Sequence, residues 1–155
     1  ISVIPAFSKL FEIILNDQIR SYFKCFNLFT NAQFGFRKGS NPTLAVAKFL
    51  DAIFKKQKDI SLGIFIDVKK AFDTVDFSIL LRKLEFYGFR GVELELMRNY
   101  LMHRYQYTDI DGALSDFAEI LAGVAQGSVL GPLLFLIYIN DFPLSTEFSS
   151  FFICR

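Results

Sequence analysis

Histidine and cysteine are nearly absent from this chain. Its 155 residues include one histidine, His103, and two cysteines, Cys25 and Cys154. A zinc site of the usual His/Cys kind is therefore not expected. The two cysteines stand far apart, in no metal or redox spacing, and read as free thiols of a reducing compartment. Net charge is also scarce: 17 basic and 16 acidic residues leave +1 at neutral pH. Bulk charge thus gives no reason to expect nucleic-acid binding, which has to come from local basic patches. No apolar run suits a membrane span, since Val129 to Ile139 is about half of the ~20 residues required. The opening, ISVIPAFSKLFEIIL, lacks a basic n-region and an initiating Met. It reads as an internal segment of a longer chain and not as a signal peptide. An intracellular place, nucleus or cytoplasm, is expected. Repeats, low-complexity tracts and linkers are missing too, so the length suits one domain or a piece of a larger one.

Apolar residues are plentiful. The chain is 52% hydrophobic with 20 Phe, enough for a core and far from the composition of a disordered segment. Ser8 is a candidate cap for a helix over 9–26, with Leu10, Phe11, Ile14, Leu15, Ile19, Tyr22 and Phe23 at helical spacing. Asn, Gly and Ser mark 28–41 as a loop. Pro42 opens a helix to Lys56, with Leu44, Ala47, Leu50, Ala52 and Phe54 expected inside. The near-continuous apolar run 61–67 predicts a strand buried on both faces. Helices follow over 78–87, stopped by Gly88, and over 93–102. Asp111-Gly112 predicts a hairpin turn between 104–110 and 117–122. A buried helix over 129–140 and a strand over 148–153 complete the pattern. Helices and strands mix without strict alternation, which favours an α+β fold.

Three stretches carry chemistry. In GIFIDVKKAFDTVD, 63–76, the apolar run ends on Asp67. A strand that delivers a carboxylate at its end holds a metal ion on a rigid element; a capping or turn Asp is the plain alternative. Phe72 follows and, by composition alone, is as well read as a core Phe. Asp73 and Asp76 read as capping or structural, and Lys69 and Lys70 as solvated charges. The second stretch, GVAQGSVLGPLLFLIYINDFP, places Gln126-Gly127-Ser128 and Gly131-Pro132 before an apolar helix. Ser128 reads as an N-cap, and the glycines let backbone approach a ligand closely. The third, Gln33 to Ser40, offers Arg37 and Lys38 to phosphates, with Arg37 equally suited to pinning the loop. A strand-Asp phosphotransferase would want a second acid two residues after Asp67, where Lys69 stands.

These stretches, in their order along the chain and together with the opening segment, resemble the signature blocks of the reverse transcriptases of non-LTR (LINE/jockey-like) retrotransposons. The resemblance runs to about Ser150. It implies the palm of a right-hand polymerase with part of the fingers: 1–60 as partial fingers and entry to the palm, and 61–155 as palm, truncated before an Ala-Asp-Asp turn. It implies template-directed deoxynucleotidyl transfer by a two-metal mechanism. An RNA template, a DNA primer and deoxynucleoside triphosphates would be partners, and two Mg²⁺ ions cofactors. Carried over by residue, Asp67 is catalytic and binds metal, and the Val68 carbonyl adds a ligand. Phe72 selects the sugar, Gln126 and Gly127 line the nucleotide pocket, and Arg37 and Lys38 contact nucleic acid or phosphate. Asp67 is expected beside the 148–153 strand, with Phe72 and Gln126 bordering its cleft. The family's Tyr/Phe-Ala-Asp-Asp turn and the basic residues before the opening segment are not found. The expectation is a truncated enzyme, inactive as it stands; the alternative is a dead remnant that binds nucleic acid weakly at most.

Overall fold

Proline starts the first helix three residues ahead of the serine expected to cap it. In the computed structural model, which describes residues 4–37, 39–55, 64–65 and 68–145, helix α1 is Ala6–Cys25. The Lys9 amide donates to the Pro5 carbonyl at 3.0 Å. Pro5 thus takes the capping position, where its missing N–H costs nothing, and Ser8 lies inside the first turn. The structure divides into two compact units, residues 1–17 with 70–138 and residues 18–69 with 139–155.

In the first unit, Asp76 caps helix α3, Phe77–Phe86 (helix α2, Pro42–Phe54, belongs to the second unit). The Asp76 carboxylate accepts from the Ile79 amide at 2.9 Å and the Ser78 hydroxyl at 2.6 Å. The serine bond, and then the amide bond, hold its pKa below the usual value. Gly88, at φ 104°, ends the helix as expected. Helix α4, Gly91–Leu101, packs against α3. Strand β1, Tyr105–Gln106, pairs antiparallel with β4, Ala118–Glu119; β2, Asp109–Ile110, pairs with β3, Ala113–Leu114. Asp111 and Gly112, both at positive φ (51° and 86°), make the tight turn that the Asp-Gly pair predicts. Two residues, 107–108, separate β1 from β2, whereas three, 115–117, separate β3 from β4. The extra residue is a β-bulge, which divides the hairpin into two short ladders, and the returning strand begins at Ala113, ahead of the 117 expected.

Helix α5, Gly131–Ile139, reads GPLLFLIYI and carries no charge. A helix apolar on every side has to be buried, and Leu133, Leu134, Leu136 and Ile137 are at most 1% exposed. Around it the unit buries Val75, Leu80, Leu84, Met97, Leu101 and Leu130.

In the second unit, Asn41 caps α2 by accepting from the Leu44 amide at 2.8 Å. Here the face differs from expectation. Ala45 is buried, while Leu44, Leu50 and Phe54 are 39%, 44% and 63% exposed. The segment PTLAVAKFLDAIF is apolar on nearly every side, so periodicity alone does not choose its inner face. Phe23, at the end of α1, is fully buried and stacks on Phe29 with centroids 4.7 Å apart. Of the expected strand 61–67, only Ile64 and Phe65 are described; they are in no strand and are 72% and 83% exposed. An apolar run becomes a buried strand only when neighbours pair with it and cover it, and no described strand does so. The expected strand 148–153 lies outside the described residues. Among the described residues, no helix is long and apolar enough to cross a membrane.

The core position of α5 is testable. Leu134→Ala should cost about 2–5 kcal/mol, whereas Phe86→Ala, at a position 83% exposed, should stay within about 0.5 kcal/mol. Urea unfolding of the two variants measures the difference.

Candidate functional site

Two of the three sequence stretches are stitched together within the first unit. The Gly123 amide donates to the Val75 carbonyl, and the Val124 amide to the Phe72 carbonyl, both at 2.8 Å. A Cβ on Gly123 would sit 2.9 Å from the Asp73 backbone, and Gly123 has φ 91°, so only glycine fits this crossing. Side chains continue the join: Gln126 Nε2 donates to Asp73 Oδ1 at 3.3 Å. Gln126 and Gly127 are exposed, and Gly127 has φ 101°. Phe72 is half-buried and lies against Phe135 of α5, centroids 4.8 Å apart at 31°. The structure therefore brings Phe72, Asp73, Gln126 and Gly127 into one neighbourhood, 53 residues apart in sequence at the Gln126–Asp73 bond.

The loop before α5 is anchored by a residue that motif reading passed over. Glu12, on α1, is 1% exposed. Its Oε2 accepts from the Val129 amide at 2.7 Å and the Leu130 amide at 3.3 Å. Its Oε1 accepts from the Tyr100 hydroxyl at 2.8 Å. These amides stand at the positive end of α5, where a carboxylate is favoured. Ser128 adds the expected cap, accepting from the Gly131 amide at 2.8 Å and donating to the Ala125 carbonyl at 2.8 Å. At the other end of the helix, Lys83 Nζ donates to the Tyr138 carbonyl at 2.5 Å and lies over the Tyr138 ring. Glu12 sits among apolar helix positions of the opening segment, where only its polarity was a signal.

Asp67 and Lys38 lie outside the described residues. Val68 is 59% exposed, and Lys69 and Lys70 are exposed. In the second unit, Arg37 Nη1 donates to the carbonyls of Thr30 at 2.5 Å and Gln33 at 3.4 Å, and its guanidinium lies over the Phe29 ring. Those bonds pin the loop. Asn140 closes the same loop, accepting from the Thr30 amide at 2.9 Å and donating to the Leu28 carbonyl at 2.8 Å. Asp67 and the Val68 carbonyl are hard oxygen donors of the kind Mg²⁺ takes, but two donors do not make a two-ion site. No group of three or more His, Cys, Asp or Glu among the described residues could hold a metal ion.

Tyr100 yields a pH prediction. Burial, then the hydrogen bond and charge of Glu12, raise its pKa well above the ordinary tyrosine range. The folded chain therefore keeps a proton that the unfolded chain loses. Stability from this group is fully present below about pH 10, the unfolded value, and is lost as pH rises beyond it. Tyr100→Phe should flatten the fall in stability above about pH 10, measured by denaturant unfolding from roughly pH 8 to 11.

Against this geometry, comparison with known proteins is direct. Residues 1–154 match the family model described as reverse transcriptase (RNA-dependent DNA polymerase). The chain is 32% identical over 145 residues to a protein described as a probable RNA-directed DNA polymerase from transposon X-element of Drosophila melanogaster, covering 92% of this chain. It is 32% identical over 149 residues, 94% of the chain, to the RNA-directed DNA polymerase from mobile element jockey of the same fly. To the jockey polymerase of Drosophila funebris it is 33% identical over 147 residues, 92% of the chain. In each case it spans 16% of the relative's length. A match of this extent settles the family: the chain belongs to the reverse transcriptases (RNA-dependent DNA polymerases), with retrotransposon polymerases among its relatives.

Proposed function

We propose that this chain is a palm segment, with part of the fingers, of an enzyme that copies an RNA template into DNA. The observation that carries the reading is the join of 72–75 to 123–126 through two backbone hydrogen bonds and the Gln126–Asp73 contact. A nucleotide pocket in this family needs both stretches on one wall, and local folding alone does not bring them together. Residues 1–60 supply partial fingers and the entry to the palm, and 61–155 the palm.

Asp67 is the catalytic carboxylate. It would hold divalent metal together with the Val68 carbonyl, and the metal, when bound, polarises phosphate oxygens and offsets the charge that develops on them. Gln126 and Gly127 border the incoming deoxynucleoside triphosphate and the template base. Phe72, its ring held by Phe135, stands where an added ribose 2′-hydroxyl would collide. Arg37 is bonded to loop carbonyls, so its part is to shape the loop, which leaves Lys38 as the phosphate contact of that pair.

The 155-residue chain alone should show no primer extension on an RNA template with Mg²⁺ or Mn²⁺. Its sequence has no Asp-Asp pair, and two divalent ions so close together repel unless several anionic ligands surround them. The reading itself is tested in a chimaera of the Drosophila melanogaster jockey polymerase in which residues 1–154 replace the matching segment. Asp67→Asn should abolish extension there, and Phe72→Val should raise ribonucleotide use by roughly tenfold or more. Full extension by the Asp67→Asn chimaera would overturn the assignment of Asp67.

A further inference from the structure

We infer that Glu12 and Tyr100 form a positioning pair that sets the nucleotide affinity of the Gln126-Gly127 loop; this rests on the reading of that loop as the nucleotide pocket. The tip of the loop is held lightly. Gln126 and Gly127 are exposed, and the Gln126 amide bonds to Asp73 at a long 3.3 Å. Such a loop takes its place from its base. That base is Ser128 to Leu130, where Ser128 and Leu130 are 6% and 0% exposed.

Buried amides at a helix start need acceptors. Ser128 satisfies the Gly131 amide locally, but those of Val129 and Leu130 bond to a carboxylate more than a hundred residues away in sequence. Plain capping does not require so distant a partner, because a Ser, Thr, Asp or Asn in the loop itself serves. The distant anchor has a different consequence: it ties the loop to α1. Tyr100 then holds the other carboxylate oxygen, which fixes the rotation of the Glu12 head, and Arg104 lies over the Tyr100 ring at 5.3 Å. Gly131 closes the arrangement, since a Cβ there would meet Ser128 Oγ at 2.6 Å and the Ala125 carbonyl at 2.8 Å. Small errors in the place of a binding group weaken it steeply. Glu12 and Tyr100 touch no reacting atom; they act through the loop.

Two measurements test this. Hydrogen exchange on the 155-residue chain reads the loop directly. Tyr100→Phe and Glu12→Leu should each speed exchange at the Val129 and Leu130 amides by roughly tenfold, with Leu136 and Ile137 unchanged. Glu12→Gln, which still offers an oxygen to the amides and an N–H to Tyr100, should restore protection. Unchanged protection in Tyr100→Phe, a variant expected to fold even if Glu12→Leu does not, would overturn the pair. Steady-state kinetics in the jockey chimaera reads the consequence. Tyr100→Phe should raise KM for deoxynucleoside triphosphate by roughly tenfold with kcat little changed. A purely structural role would lower kcat through loss of folded enzyme and leave KM alone, which would also overturn the inference. Gln126→Ala separates the two readings. If it too leaves KM unchanged, the nucleotide-pocket reading has failed; if it raises KM and Tyr100→Phe does not, only the positioning pair has.

Discussion

The first unit depends on how an uncharged helix is held at its two ends. Helix α5 is buried on all sides and has no charged residue with which to answer its own dipole. Partners from elsewhere in the chain do so. The Glu12 carboxylate meets the amides at its start, and the Lys83 ammonium meets a carbonyl near its end. Each charge has the sign that its helix end favours. Burial gives such interactions weight, because the same pairs in water are worth little. Burial also makes the Glu12 end costly to break, since Glu12 and Leu130 lie in the core, where no water replaces a lost partner. The packing of α3, which carries Lys83, and of the first turns of α1, which carry Glu12, follows from this requirement.

Around that helix the two motif stretches converge through different kinds of contact. Backbone bonds from Gly123 and Val124 fix the crossing with 72–75, and the absence of a side chain at Gly123 permits it. Phe72 rests on Phe135 and is half-buried, so its ring is part of the apolar packing and would also border the proposed pocket. The two readings of Phe72, core residue and selective aromatic, are therefore compatible. Precision at a binding surface comes from residues locked on one side by a core.

The 28–41 loop of the second unit illustrates the opposite outcome. Arg37 looked suited to phosphate, yet its guanidinium serves the Thr30 and Gln33 carbonyls and lies on Phe29. Loop carbonyls turned inward need donors, and an arginine offers five in a planar fork. Asn140 does the same from the other side, with both ends of its amide in use. Basic residues in a loop are thus weak evidence for an anion until their hydrogen bonds are known.

What the sequence determined by itself was whatever acts over a few residues, together with the family. Pro42 opens one helix, Asp76 caps another, Gly88 ends it, Asp111-Gly112 turns the hairpin, and the uncharged 131–139 run is buried, because each signal is a local fit of side chain to backbone. The motif order from Gln33 to Pro143 was enough to name the reverse transcriptases. The tertiary structure decided the rest. It placed the start of α1 at Pro5, turned Ala45 of α2 inward in place of Leu44 and Leu50, and inserted the bulge in the hairpin. It also drew Glu12 to a helix start 117 residues away in sequence. Apolar helices with several equivalent faces, and charges whose partners lie on other elements, carry no local pattern. Their place is chosen by which buried amide, carbonyl or apolar face would otherwise stay unsatisfied.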